Sequence, residues 1–153
     1  MTRIVVGVDG SPASRQALSW AAGEAALRGA VLDVVHVHDP TPVYEVYRYP
    51  YGLPTAVDQE RHDEEMERYA VKLLAEMVGE LDQRLHTRVE QRVIVSPRPA
   101  RALLEHAAGA DLLVLGSRGH GGFAGLLLGS VSNQCVHHAT CPVVVVPEGK
   151  EGP

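Results

Sequence analysis

The chain has 153 residues, 45% of them hydrophobic and 22% charged, with a formal net charge of -5 at pH 7. That length suits one domain with an ordinary apolar core, and the acidic balance excludes the basic field that a nucleic-acid backbone requires. Cys135 and Cys141 are the only thiols, and no apolar run approaches the roughly 20 residues of a membrane-spanning helix, so a reducing, cytoplasmic protein without nucleic-acid or membrane partners is expected.

In chain order, Arg3 to Val8 form an apolar, β-branched run ending at Asp9-Gly10-Ser11-Pro12, where Ser11 can cap a helix that begins at Pro12. The helix carries a narrow stripe of Ala17, Ala21 and Ala25 flanked by Leu18 and Ala22, and Gly29 stops it. Val31 to Val37 reads as a second strand. Pro40 to Pro54 is rich in proline and tyrosine (Tyr44, Tyr47, Tyr49, Tyr51), which predicts a long irregular loop: either a segment over a ligand or a plain surface connection. Asp58 to Leu85 predicts one long helix with Met66, Tyr69, Ala70, Leu73, Leu74, Met77, Val78 and Leu81 turned inward, and with Asp63, Glu64 and Glu65 on the solvated face.

Val89 to Val95 is a third strand, Pro99 to Ala108 a helix and Asp111 to Leu115 a fourth strand, which runs into a glycine-rich turn from Gly116 to Gly122. Ser130 to His138 is a short helix and Val143 to Val146 the last strand. The alternation predicts an α/β fold: a single doubly wound, five-stranded parallel sheet with right-handed crossovers and helices on both faces. One domain is expected over residues 1–148, with 149–153 as a flexible tail.

Ligands of open parallel sheets sit outside the carboxyl ends of the strands, so the turns there carry the chemistry. After the fourth strand come Gly116-x-x-Gly119, nine further residues, then Gly129-Ser130 at a helix start. Phosphates need close approach by backbone amides, and a helix start adds unpaired N–H groups and the positive end of a dipole. Gly116 and Gly119 supply one cradle, and Gly129, Ser130, Val131 and Ser132 a second. The plain alternative is glycines that merely build a flexible loop. Residues Gly119 to Ala124 formally match a dinucleotide fingerprint, but they follow the wrong strand and no acidic residue for a ribose lies about 20 positions on. A Walker A loop is absent, because no lysine follows these glycines.

With these motifs, the chain resembles the ATP-binding subclass of the universal stress protein family. Gly116, Gly119, Gly129 and Ser130 match its G-x2-G-x9-G-[ST] signature, and the segments IVVGVDGS, GSRGHGGFAGLLLGSVS and HHATCPVVVVP resemble its recurring tracts. The resemblance implies an adenine-nucleotide α-hydrolase-like sheet of order 3-2-1-4-5, with ATP across the switch point between the first and fourth strands. It implies that Asp9 faces the nucleotide and its Mg2+, that the backbone of Val37 meets the adenine, that Gly7 and Val8 form the floor, and that Arg118 pairs with phosphate. Asp9 also reads as a turn residue, since Asp-Gly is a strong turn dipeptide, and Arg118 also reads as a solvent-facing arginine. Ser96 stands where many relatives have glycine, which bears on the shape of the adenine-side rim.

Other candidates are weaker. His36 and His38 share a strand face, but rim or core histidines are the better reading than a metal pair. Cys135, His137, His138 and Cys141 have a zinc-like composition without zinc-like spacing, and His120 reads as a loop residue. No nucleophile with an adjacent base is visible, so the expectation is a binding module, not an enzyme, with hydrolysis slow or absent. The function expected is a nucleotide-responsive regulator of a stress or dormancy response. One alternative is an AMP-forming hydrolase, against which the turn DGSPAS stands in place of SGGxDS; another is a nucleotide-free structural dimer, against which the intact signature stands. A homodimer is expected through Val143, Val144, Val145 and Val146, an apolar strand at the sheet edge.

Overall fold

A computed structural model of the chain describes residues 2–40, 52, 55–119 and 128–149. The expected Tyr-rich loop falls outside the described residues except at Pro40 and Gly52, as do His120 and residues 150–153 of the tail.

A strand covered on both faces must be apolar along its length, and Ile4, Val5 and Val6, the middle of β1 (Arg3–Gly7), are fully buried. The chain then turns into α1 (Pro12–Arg28). Ser11 is extended, its hydroxyl accepts from the Ser14 N–H at 3.2 Å, and Pro12 occupies the first helical position. Gly29 ends the helix in the left-handed region at φ 61, which glycine adopts without penalty. β2 spans Val31–His38.

α2 (Ala56–Gly79) is displaced from its expected bounds at both ends. It starts earlier because Thr55 and Asp58 form a capping box, with the Asp58 N–H on Thr55 Oγ1 at 3.2 Å and the Thr55 N–H on Asp58 Oδ2 at 2.8 Å. The Thr55 N–H and the Thr55 hydroxyl, which donates to the same Oδ2 at 2.8 Å, hold the Asp58 carboxyl below its ordinary pKa. The helix ends at Gly79 in a tightened turn, with the Leu81 N–H on the Val78 carbonyl at 3.1 Å, and Asp82 Oδ1 then takes the Arg84 N–H at 3.0 Å, a local turn in place of a resumed helical ladder. Tyr69, expected inward, is 63% exposed: it lies one residue off the Ala70–Leu74–Met77 line that meets the sheet. β3 (Arg88–Val95), α3 (Pro99–Ala107), β4 (Leu112–Gly116), α4 (Ser130–His138) and β5 (Val143–Val146) follow within a residue or so of expectation.

The five strands form one sheet in the order β3-β2-β1-β4-β5, every neighbouring pair parallel. This is the adenine-nucleotide α-hydrolase-like arrangement expected. Strand alternation divides the core into two layers. Ile4, Val6, Leu32, Val34 and Val114 meet the alanine stripe of α1 and Leu74 and Met77 of α2, while Val5, Val35, Leu113 and Leu115 meet Ala100 and Leu103 of α3 and Cys135 of α4. Among the described residues no helix is long and apolar enough to cross a membrane.

At the amino ends of the strands a buried carboxylate gathers two arginines and a histidine. Asp33 is 1% exposed, with Arg3 Nη1 at 3.1 Å and His106 Nε2 at 2.7 Å from Oδ2, and Arg92 Nε at 3.7 Å from Oδ1. Arg3 also donates to the carbonyls of His106 and Ala108, and its backbone N–H to Asp111 Oδ2 at 2.8 Å. These bonds join β1, β2, β3 and α3 at one end of the sheet and leave the carboxyl ends to form the cleft.

Candidate functional site

Strand order reverses between β1 and β4, so the loops after them diverge and leave a crevice. It holds about 210 Å³, room for a ligand larger than a single water. All eleven residues singled out from the sequence line it. Gly7 and Val8 lie at the end of β1 and Val37 toward the end of β2. Asp9 opens the first turn, Gly116, Arg118 and Gly119 follow β4, and Gly129 to Ser132 begin α4.

Among the described residues the start of α4 takes no side-chain cap. Gly129 is its N-cap, and the first helical bond runs from Asn133 N–H to the Gly129 carbonyl at 2.9 Å. The amides of Ser130, Val131 and Ser132 therefore precede the intrahelical ladder and stand at the positive end of the helix dipole. Ser117 fixes this turn to its surroundings: its N–H donates to the Val146 carbonyl at 2.8 Å, and its carbonyl accepts from Gly129 N–H at 2.7 Å. Ser132 Oγ lies 3.1 Å from the Gly129 carbonyl and 3.2 Å from that of Ser117.

The signature glycines sit where backbone meets backbone or carboxylate. A Cβ at Gly116 would come within 2.7 Å of the Ala13 carbonyl carbon and 2.8 Å of Ser14 N. One at Gly119 would fall on Asp9 Oδ2, and one at Gly129 would lie 3.3 Å from Gly119 N. Close approach, more than loop flexibility, accounts for these positions. Asp9 is a turn residue, with Oδ1 accepting from Ser11 N–H at 2.9 Å, and also a cleft residue, its carboxylate facing Gly119. Arg118 is exposed at the rim.

Five further lining residues escaped the sequence reading: Ser14, Val35, Pro99, Leu103 and Leu115. Val35 shares a strand face with Val37, and Leu103 follows Pro99 by one helical turn, so both were available from alternation and helical spacing. Which face met a cleft was not. Ser96 makes a local turn at the neighbouring rim, its Oγ accepting from Arg98 N–H at 3.1 Å.

Among the described residues the set-aside candidates are not gathered into a metal site. His36 Nδ1 lies 2.8 Å from the Val8 carbonyl. Cys135 is buried in the apolar layer, whereas His137 and His138 are exposed. Burial pushes the Cys135 thiol up to about 11 and raises that of Cys141. Among the described residues no group of three or more His, Cys, Asp or Glu side chains could hold a metal ion.

Fold and cleft together define a doubly wound α/β domain of the adenine-nucleotide α-hydrolase-like class. The model of the universal stress protein family matches residues 1–147, and the chain belongs to that family. A universal stress protein of Mycobacterium tuberculosis is 40% identical over 142 residues, covering 93% of this chain and 44% of the relative. One from Mycolicibacterium smegmatis is 40% identical over 147 residues, covering 94% and 45%. The chain thus spans less than half the length of these curated relatives. Among solved structures, a universal stress protein in complex with cAMP matches with a TM-score of 0.68 at 28% identity, over 97% of this chain and 98% of that one. UspA from Lactobacillus plantarum shares the fold, with a TM-score of 0.74 at 23% identity over 95% and 97%.

Proposed function

We propose that this chain is an ATP-binding universal stress protein module, a nucleotide-responsive regulator of a stress or dormancy response in the cytoplasm. The observation that carries the reading is the convergence of an uncapped helix start and the Gly116–Gly119 turn on one cleft whose opposite wall is apolar. Backbone amides at a helix start suit phosphate, and Val35, Val37, Leu103 and Leu115 suit a flat base. That a related universal stress protein was solved with cAMP supports an adenine ligand.

Mg2+ fits the donor chemistry, since it commonly combines one or two carboxylates with phosphate oxygens and water. Asp9 would hold it at the cleft, and the bound ion would offset phosphate charge. Arg118, at the rim, would add a cation on the phosphate side. The reading assigns binding, with hydrolysis slow or absent, and self-association through β5, an edge strand with a neighbour on one side only among the described residues. The nucleotide-free structural dimer remains the competing reading, and one observation favours it: Gly116 already has a reason to be glycine in the seating of α1.

Acid extraction of the purified protein, with calorimetric titration of Mg-ATP, ADP and cAMP, tests the proposal. ATP is expected to be recovered or bound, and Ser130→Pro to bind it more weakly with its helix intact, because proline is tolerated at the first helical position while one amide donor is lost. A wild-type protein that carries and binds no nucleotide overturns the reading in favour of the structural dimer. Gel filtration at the mass of one chain overturns self-association.

A further inference from the structure

The loop after β4 leans on the first turn of α1 at three successive places. Gly116 abuts the Ala13–Ser14 backbone, Gly119 abuts the Asp9 carboxylate, and between them the Arg118 carbonyl accepts a hydrogen bond from Ser11 Oγ at 3.3 Å. Ser11 is 3% exposed, and the same hydroxyl accepts the Ser14 N–H at 3.2 Å. A serine hydroxyl has one donor and two lone pairs, so both bonds are made at once. The cap needs only the lone pair, whereas the bond to Arg118 needs the proton.

The second bond sets a direction. No described peptide bond is cis, and in a trans peptide the C=O and the following N–H point to opposite sides. Holding the Arg118 carbonyl toward Ser11 therefore turns the Gly119 N–H away from α1. Gly119 N is also close to Gly129, whose Cβ position would be 3.3 Å from it, at the start of the α4 amides. Ser117, held by Val146 and Gly129, fixes the preceding peptide from the other flank.

We propose that Ser11 is a positioning residue: its hydroxyl proton orients the Arg118–Gly119 peptide so that the Gly119 amide joins the amides of α4 in one phosphate-facing set. This deepens the nucleotide-binding reading and rests on it for its effect on affinity, but the peptide orientation itself exists without ligand.

Two variants separate the roles. Ser11→Thr keeps both acceptor and donor. Ser11→Gly removes the donor while remaining a serviceable N-cap, since glycine loses little at that position. Mg-ATP affinity is expected to be kept in the threonine variant and to fall about threefold to tenfold in the glycine variant, the range for losing one ordinary hydrogen bond. In nucleotide-free protein, the Gly119 amide resonance in a 1H–15N spectrum is expected to be shared by wild type and Ser11→Thr and displaced in Ser11→Gly. An unmoved Gly119 resonance overturns the proposal, and so does equal loss of affinity in both variants, which marks general disruption. If wild type binds no nucleotide, the functional reading fails on its own, and the resonance comparison still decides the orientation.

Discussion

Asp33 is an ion in the wrong medium, and it survives there through its neighbours. Its carboxylate is nearly inaccessible, but Arg3, Arg92 and His106 surround it. Removing one member of a buried charge cluster typically costs about 3–5 kcal/mol. That cost comes from stranding a buried charge, whereas Asp33→Ala removes the buried group and leaves Arg3 and Arg92 partly exposed and able to recover hydration, so it is expected below that range, at about 1–3 kcal/mol by urea unfolding. The cleft glycines pose a different residue-scale problem. Gly116→Ala would drive a methyl into immovable backbone and is expected to destabilise by about 1–3 kcal/mol, whereas Gly129→Ala, with its nearest contact at 3.3 Å, should cost less; thermal unfolding of the pair distinguishes them. The sequence could identify Gly116 as a motif residue but not its clash partner, because Ala13 and Ser14 lie on the other side of a fold that only the sheet brings together. Cys135 has a pH signature. Its thiol is raised from 9.0 to about 11, first by burial and then by Cys141, so above pH 9 the unfolded chain has lost a proton that the folded chain retains. Stability is therefore expected to fall as pH rises from about 9 to about 11, and less steeply in Cys135→Ala; below pH 9 the thiol contributes no slope.

At the scale of elements, α1 shows how much a helix can disclose and where it stops. Its start and end were legible in Ser11, Pro12 and Gly29, and its inner face in the alanine stripe, because caps and small residues act locally. What each outer flank meets was not. Arg15 and Gln16, adjacent in sequence, point to different neighbours: Arg15 pairs with Glu80 just past α2, and Gln16 lies beside Gly149 just past β5. Helical spacing continues the Gln16 side through Trp20, 40% exposed, and Leu27, 85% exposed. Those two exposed apolar residues thus share the face of α1 on which Gln16 approaches the segment after β5. If two chains join through β5 as proposed, sedimentation at rising concentration should reach twice the single-chain mass while emission of Trp20, the sole tryptophan, moves to shorter wavelength in step. A mass change with constant emission would place the contact elsewhere. α2 was read too far because its apolar spacing continues through Leu81 and Leu85, which do pack on the core, although the backbone between them has turned at Asp82.

For the whole molecule, topology was the most legible feature. Alternating strands and helices of these lengths leave few arrangements, and right-handed crossovers remove most of the rest; the full strand order came from the family resemblance. The polar half of the cleft was legible too, since glycines and a helix cap leave marks in sequence. Its apolar half was legible only in part, at Val8 and Val37 through the family resemblance, because Val35, Leu103 and Leu115 look like any other core residues. The buried Asp33 cluster was missed for the same reason: a single aspartate within VLDVVHV carries no mark of the arginines that will reach it.

The sheet order also bears on how the module comes into being during translation. β1, the earliest of these five strands in the chain, lies at the centre between β2 and β4, with Ile4, Val5 and Val6 wholly enclosed in the finished fold. Its second neighbour is encoded more than 100 residues later, which at roughly 5–20 residues per second is a wait on the order of 5–20 seconds. Through most of that interval only β2 is available to pair with β1, and once β3 is made a nascent β1–β2–β3 sheet still presents its most apolar strand as an open edge. The growing polypeptide is therefore at its most adhesive just before β4 leaves the ribosome, and chaperone occupancy should be greatest at that moment.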